Sequence, residues 1–290
     1  AVQFISRRDP PRVAALRVVA RTNPVSTTHF RSRRWPAAGH GVSSVDSRIT
    51  MTGRAISTAI ARSRAFWDDR RRRMAGVTRV VHHGDGIAYL AARLPDDHAI
   101  ITSLPDHSEL PALGVAGWRD WFIATVALAC RAVADDAVAL FYQTDVKHDG
   151  RWIDKSHLVL CGADTAGSHL LWHKIVCRVP PGTTTFGRPA YAHLVCLSRS
   201  RRLAAGASTA DVLPALGAMS WSRAMGSAAC EAAVRFVAST GARTVVDPFC
   251  GLGSVLAAAN AHGLDAVGVE LSRRRARRAR TATHAESQAG

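Results

Sequence analysis

The sequence predicts a doubly wound, mostly parallel α/β sheet with an antiparallel edge. Three observations carry the prediction. From residue 77 onward, short apolar runs of strand length alternate with longer stretches of helical length. Residues 170–178 and 191–198 are two β-prone runs joined by a Pro/Gly/Thr loop, a hairpin signature. Near the C-terminus, the apolar run Thr244-Val245-Val246 feeds a Gly-x-Gly turn and then an Ala-rich helix.

The elements follow in order. Residues 56–74 have helical character and end in Arg70-Arg71-Arg72-Arg73. A strand over 77–82 stops at Gly84-Asp85, and a short helix covers 87–93. Ala99-Ile100-Ile101 is a strand, closed by Thr102-Ser103-Leu104-Pro105-Asp106. A long apolar helix covers 118–134, and a strand 137–142. The polar stretch 145–152 reads as a loop on the same sheet edge, and 155–163 as a helix before the hairpin. A helix over 231–239 leads to the strand 244–246. After the turn come a helix over 255–261, the strand 266–269 and an Arg-rich helix over 273–280.

The chain has 290 residues, enough for one α/β domain with a sizeable core. Its formal charge of +16 suits a polyanionic partner. Residues 1–50 carry nine Arg and two Asp, which leaves +9 for the rest. That segment has no sustained period and is expected to be a disordered or non-native basic extension, with Met51 opening the folded domain over 51–290. No apolar run of membrane-spanning length and no signal-peptide core are read. Six cysteines form no Cys-x-x-Cys pair, so a reduced, cytoplasmic protein without a metal site is expected.

The chemistry concentrates in Asp247-Pro248-Phe249-Cys250-Gly251-Leu252-Gly253-Ser254. A strand feeding Gly-x-Gly into a helix lets a nucleotide-like ligand approach bare backbone. Asp247 can hold a cationic group. Glu270 ends the next strand, 23 residues on, where an acid can accept both ribose hydroxyls. Leu256 stands where the third dinucleotide glycine belongs, which argues against NAD.

This run resembles the S-adenosyl-L-methionine loop of nucleic-acid amino-methyltransferases. It comes late in the chain, as in the circularly permuted DNA N4-cytosine and N6-adenine methyltransferases, and the resemblance covers about 77–280. It implies a Rossmann-like, seven-stranded methyltransferase sheet cut between the family's second and third strands. S-adenosyl-L-methionine is the implied cofactor, held by Asp247, Pro248, Phe249, Cys250, Gly251, Gly253 and Glu270, with Asp85 on the adenine amine. RNA or DNA is the implied partner. RNA is slightly favoured, because no domain for reading a duplex is evident and single-stranded bases need less extrusion.

Ser103-Leu104-Pro105-Asp106 resembles the Asp/Asn/Ser-Pro-Pro-Tyr/Phe loop of the same enzymes. An exocyclic base nitrogen is a poor nucleophile because its lone pair is delocalised into the ring. In such a loop one side chain and the next carbonyl accept the two amino hydrogens and localise that lone pair. Ser103 and Leu104 would take these roles. Asp106 replaces the aromatic that would stack on the base, leaving Trp118, Trp121 or Tyr142 as substitutes. Two other readings stand beside this one. A C5-pyrimidine methyltransferase needs a nucleophilic cysteine beside proline, and no Pro-Cys dipeptide occurs. A non-catalytic subunit of the same fold, binding RNA or a partner methyltransferase, is motivated by Asp106. Further candidates are Arg188 and Tyr191 at the hairpin entrance, His173 as a hairpin residue, and the 273–280 arginines as a solvated face or phosphate contact.

Overall fold

The computed structural model describes residues 76–283, apart from 205, 207 and 223. The expected extension over 1–50, the domain start at Met51 and the helix over 56–74 lie outside the described residues.

Among the described residues, ten strands form: β1 (Arg79–His83), β2 (His98–Thr102), β3 (Ala139–Gln143), β4 (Val146–His148), β5 (Arg151–Ile153), β6 (His169–Cys177), β7 (Tyr191–Ser198), β8 (Val212–Leu213), β9 (Thr244–Asp247) and β10 (Asp265–Glu270). Six α-helices connect them: α1 (Gly86–Leu90), α2 (Gly114–Ala132), α3 (Lys155–Thr165), α4 (Ser227–Ser239), α5 (Ser254–Ala261) and α6 (Arg273–Thr281). The main sheet runs β1-β10-β9-β2-β3-β7-β6-β8. Pairings from β1 to β3 are parallel, and β3-β7 and β7-β6 are antiparallel.

The predicted sheet is therefore present, with two differences. It has eight strands rather than seven, because Val212–Leu213 adds a two-residue edge on β6. The expected loop over 145–152 is the separate β4-β5 ribbon.

Side chains alternate across the sheet with period two. In β2, Ala99 and Ile101 enter one core and Ile100 the other; in β3, Leu140 and Tyr142 oppose Ala139 and Phe141. The first core is closed by α4, α5 and α6 through Val234, Val237, Leu256, Ala258, Ala276 and Ala279. The second is closed by α1, α2 and α3 through Leu90, Trp118, Phe122, Val126, Leu158 and Val159. Both faces of the sheet are thus covered, which is why the central strands read as nearly continuous apolar runs.

Helix α2 illustrates the packing. Trp118, Phe122, Val126 and Ala129 recur at helical spacing and are fully buried, a stripe that faces the sheet. By length and composition alone, 111–132 is apolar enough to cross a membrane, and 39% of its apolar window is buried in this fold.

Candidate active site

The parallel strands deliver their carboxyl ends to one edge. There β1 leads to Asp85, β2 to Ser103 and β3 ends at Gln143, while β9 and β10 end at Asp247 and Glu270. The chain leaves β9 toward β10 on one side, whereas β2, its other neighbour, leads away to β3. Connections diverge at β9, and a crevice opens at such a switch point.

The crevice is a cleft of about 450 Å³. Asp85, Ser103, Leu104, Pro105, Asp247, Pro248, Phe249, Cys250, Gly251 and Glu270 all line it. Of the remaining expected site residues, Gly253 forms the turn behind the cleft and Asp106 lines an adjoining cavity.

The loop after β9 needs its glycines. Gly251 has φ 55° and Gly253 φ 85°, left-handed conformations that disfavour any side chain. A Cβ on Gly253 would also come within 3.0 Å of the Ala279 backbone, so α6 packs directly on the turn. The Gly251 N–H donates to Glu270 Oε2 at 3.1 Å. Glu270 Oε1 accepts from Ser272 N at 2.7 Å and Arg275 Nε at 2.9 Å. Among the described residues, Oε2 thus carries a single donor and keeps acceptor capacity on a carboxylate that lines the cleft.

Asp247 is buried, and its Oδ1 accepts from Thr102 Oγ1 at 2.7 Å and from Phe249 N at 3.2 Å. Burial pushes its pKa up to about 7, against the lowering effect of those two donors; the nearby Glu270 carboxylate adds to the rise. Asp85 caps α1, accepting from Ile87 N at 2.9 Å, and the preceding Gly84 N–H donates to the Glu270 carbonyl. Cys250 packs its sulfur toward Gly268, and burial pushes the thiol's pKa far up, opposite to what a nucleophilic cysteine needs.

On the β2 side, Leu104 is buried in the second core and fixes the turn. The Pro105 carbonyl accepts from Trp118 Nε1 at 3.1 Å. Trp118 is fully buried, so it offers no stacking surface and is removed from the substitutes for the missing aromatic. Trp121 lines the cleft edge-on to Phe249, and Tyr142 lines the adjoining cavity. Among the described residues nothing donates to the Ser103 hydroxyl or the Leu104 carbonyl. Asp106 closes a capping box with Glu109 on the 3-10 turn His107–Glu109, and its Oδ1 lies 3.5 Å from Lys155 Nζ. Lys155 is buried, which pulls its pKa down; pairing with Asp106 works against that.

The adjoining cavity, about 260 Å³, shares Ser103, Leu104, Glu109 and Ala224 with the cleft. Its walls carry Gln143, Asp145, Lys147, Lys155, Arg178 and Arg188. Asp145 accepts from Lys155 N, Trp152 Nε1 and His193 Nε2, at 2.9–3.1 Å. Burial would raise its pKa, but the His193, Lys155 and Trp152 hydrogen bonds outweigh that and hold it low. His193 in turn bonds His173 at 2.9 Å, so His173 is a hairpin residue. Asp145, Asp154 and His193 bring potential ligand atoms within 4.8 Å of one another. Asp154 is meanwhile committed to Ser156 and His157 as the cap of α3.

Sequence reading missed Trp221, Gln143 and Lys155, and gave Arg275 only as one of the 273–280 arginines. Trp221 lies in the cleft beside Gly251, with the Arg275 guanidinium 5.7 Å from its ring centroid. A tryptophan between two serines, in a stretch without strand or helical period, was the available signal. Of the α6 arginines, Arg275 binds Glu270 and Arg280 donates to the Val81 carbonyl; Arg273, Arg274, Arg277 and Arg278 are exposed or nearly so.

No family model matches the chain, and no curated protein does. Solved structures do. A Thermus thermophilus protein assigned as a DNA modification methylase matches with TM-score 0.56 and 19% identity, over 73% of this chain and 97% of that one. The same protein complexed with S-adenosyl-L-methionine gives TM-score 0.54 and 20% identity, over 73% and 96%. The cytosine-N4-specific PvuII DNA methyltransferase gives 0.50 and 13%, over 70% and 86%. At these identities the likeness is one of fold: the chain has the fold of DNA methyltransferase structures.

Proposed function

We propose that this chain is an S-adenosyl-L-methionine-dependent methyltransferase acting on an exocyclic amine of a nucleic-acid base, with DNA as the first substrate. One observation carries the reading: the glycine loop with Glu270 and the Ser103-Leu104-Pro105 turn line the same cleft. Those residues suit the cofactor. Glu270 Oε2 can accept a ribose hydroxyl, Asp247 can pair with an ammonium group, and the glycines leave backbone bare beside it. When bound, S-adenosyl-L-methionine supplies an electrophilic methyl on a sulfonium. Ser103 Oγ and the Leu104 carbonyl accept the two hydrogens of the target amine. That draws its lone pair out of the ring and aims it into the cleft, an arrangement set before reaction by the buried Leu104 and the Trp118–Pro105 hydrogen bond.

Counting strands from the glycine loop also supports the proposed permutation. With β9 as first, then β10, β1, β2 and β3, the sheet order reads 3-2-1-4-5, the doubly wound order. The solved neighbours are named as DNA enzymes, which supports DNA; nothing in the comparisons supports the preference for RNA or the non-catalytic alternative.

The test is methyl transfer from S-adenosyl-L-methionine to DNA and, separately, to RNA, read by mass spectrometry of the nucleosides. N4-methylcytosine or N6-methyladenine in DNA is expected. Ser103→Ala should lower kcat by about 10–100-fold and leave cofactor affinity unchanged, because the lost contact belongs to the transition state. Cofactor binding without methylation of either polymer would sink the proposal.

A further inference from the structure

We propose that Gln143 reads the target base: its side-chain amide donates to the ring nitrogen beside the exocyclic amine, N3 of cytosine or N1 of adenine. This rests on the methyltransferase reading above. Gln143 closes β3 and is 1% exposed, yet neither its amide nitrogen nor its amide oxygen has a hydrogen-bond partner. A buried, unpaired amide is disfavoured, and a native fold keeps one where a ligand completes it.

Its position says which ligand. Gln143 and Ser103 line the same cavity. They also sit on hydrogen-bonded neighbours: Thr102 is in register with Phe141, so Ser103 lies one residue and Gln143 two residues past that pair. Several other polar groups of the cavity are already engaged. Asp145 is held by His193, Lys155 N and Trp152; Arg178 donates to Thr144 and Arg188 to the Ser222 carbonyl; Lys155 pairs with Asp106.

A base whose amine is held by Ser103 and Leu104 presents its adjacent ring atom to this wall. On the Watson–Crick side of the amine that atom is a nitrogen acceptor in both cytosine and adenine, N3 or N1, and thymine has no exocyclic amine to be held. With its NH2 turned toward the base, the Gln143 amide donates to that nitrogen.

The experiment deletes the ring nitrogen and keeps the amine. Duplex oligonucleotides carry 3-deazacytosine or 1-deazaadenine at the methylated position. The wild type should lose about tenfold or more in kcat/KM on the deaza base. Gln143→Leu should be slow on the ordinary base and lose nothing further on the deaza base, because the interaction is already gone. The same variant should melt higher than the wild type, since an unpaired buried amide has been removed. Equal discrimination by Gln143→Leu and wild type, or a lower melting temperature of the variant, overturns the role of Gln143 alone. A wild type that methylates no DNA overturns the enzyme reading as well.

Discussion

The cleft and the cavity meet at Ser103, yet they are built on different principles. The cleft is made of backbone: one uninterrupted run, Asp247 to Ser254, turns through two left-handed glycines and is locked by a carboxylate from the next strand. The cavity is made of charged and amide side chains that converge from β3, α3, the β4-β5 ribbon and the β6-β7 connection. A backbone site tolerates almost no substitution at its turns, and its distant partners, Thr102 and Ala279, brace it from behind. A side-chain site tolerates backbone variation, and each of its buried charges depends on a group far off in sequence. Substitutions should therefore disable one site and spare the other.

Gly253→Val is the harshest such test. It forces a β-branched residue into a φ of 85° and a Cβ against Ala279. Left-handed strain of about 1–2 kcal/mol and overpacking of about 1–3 kcal/mol both apply. Cofactor binding should be lost in calorimetry, and the melting temperature should fall by several degrees. Retained affinity would mean that the loop does not form the cofactor cradle.

Asp106→Ala probes the other site. Lys155 is 4% exposed, and Asp106 is its salt-bridge partner. Removing that partner leaves the buried ammonium with only the fields of Glu109 and Asp145, and the 3-10 turn loses its capping box. Because Asp106 is itself partly exposed, the loss should be about 2 kcal/mol rather than the 3–5 kcal/mol of a fully buried pair. Chemical denaturation should show it, with cofactor affinity unchanged. Asp106→Ala/Lys155→Met should recover most of the stability; failure to do so would locate the role of Asp106 in the turn alone.

The same contrast decides what could be read from the sequence. The cleft was legible because its chemistry is contiguous and glycine has few other reasons to recur there. The sheet was legible because apolar runs buried on both faces have no alternative use. The eighth strand was not, since two residues carry no period. The β4-β5 ribbon did have a signal. Asp149-Gly150 is a two-residue hairpin pair, and both residues adopt positive φ, 48° and 70°. Trp118 was misassigned because its burial depends on where α2 lies, which no local pattern states. Gln143 is the extreme case. One glutamine at a strand end is unremarkable in sequence, and only the absence of partners in three dimensions marks it.

Asp247 belongs to both principles, as a buried side-chain charge inside the backbone-built site, and its effect is the mildest and most graded. Its pKa stands at about 7 in the folded protein against 3.8 ordinarily. A raised acid holds its proton more tightly when folded, so its contribution to stability falls as pH rises from 3.8 to about 7 and is constant above. Cofactor binding runs the other way, because only the ionised carboxylate can pair with an ammonium group. Affinity for S-adenosylhomocysteine should therefore rise with pH, by up to about tenfold per unit below 7, and level off above it. Asp247→Asn keeps an Oδ1 acceptor for Thr102 and Phe249 N while removing the charge. It should melt higher than the wild type at pH 8, bind the ligand more weakly, and bind it equally across the range. Calorimetry in a series of buffers on both proteins checks this. A wild-type affinity that is flat in pH, or a slope that persists in Asp247→Asn, would show that the carboxylate does not meet the cofactor's charge and that its burial serves only to hold β9 to β2 through Thr102.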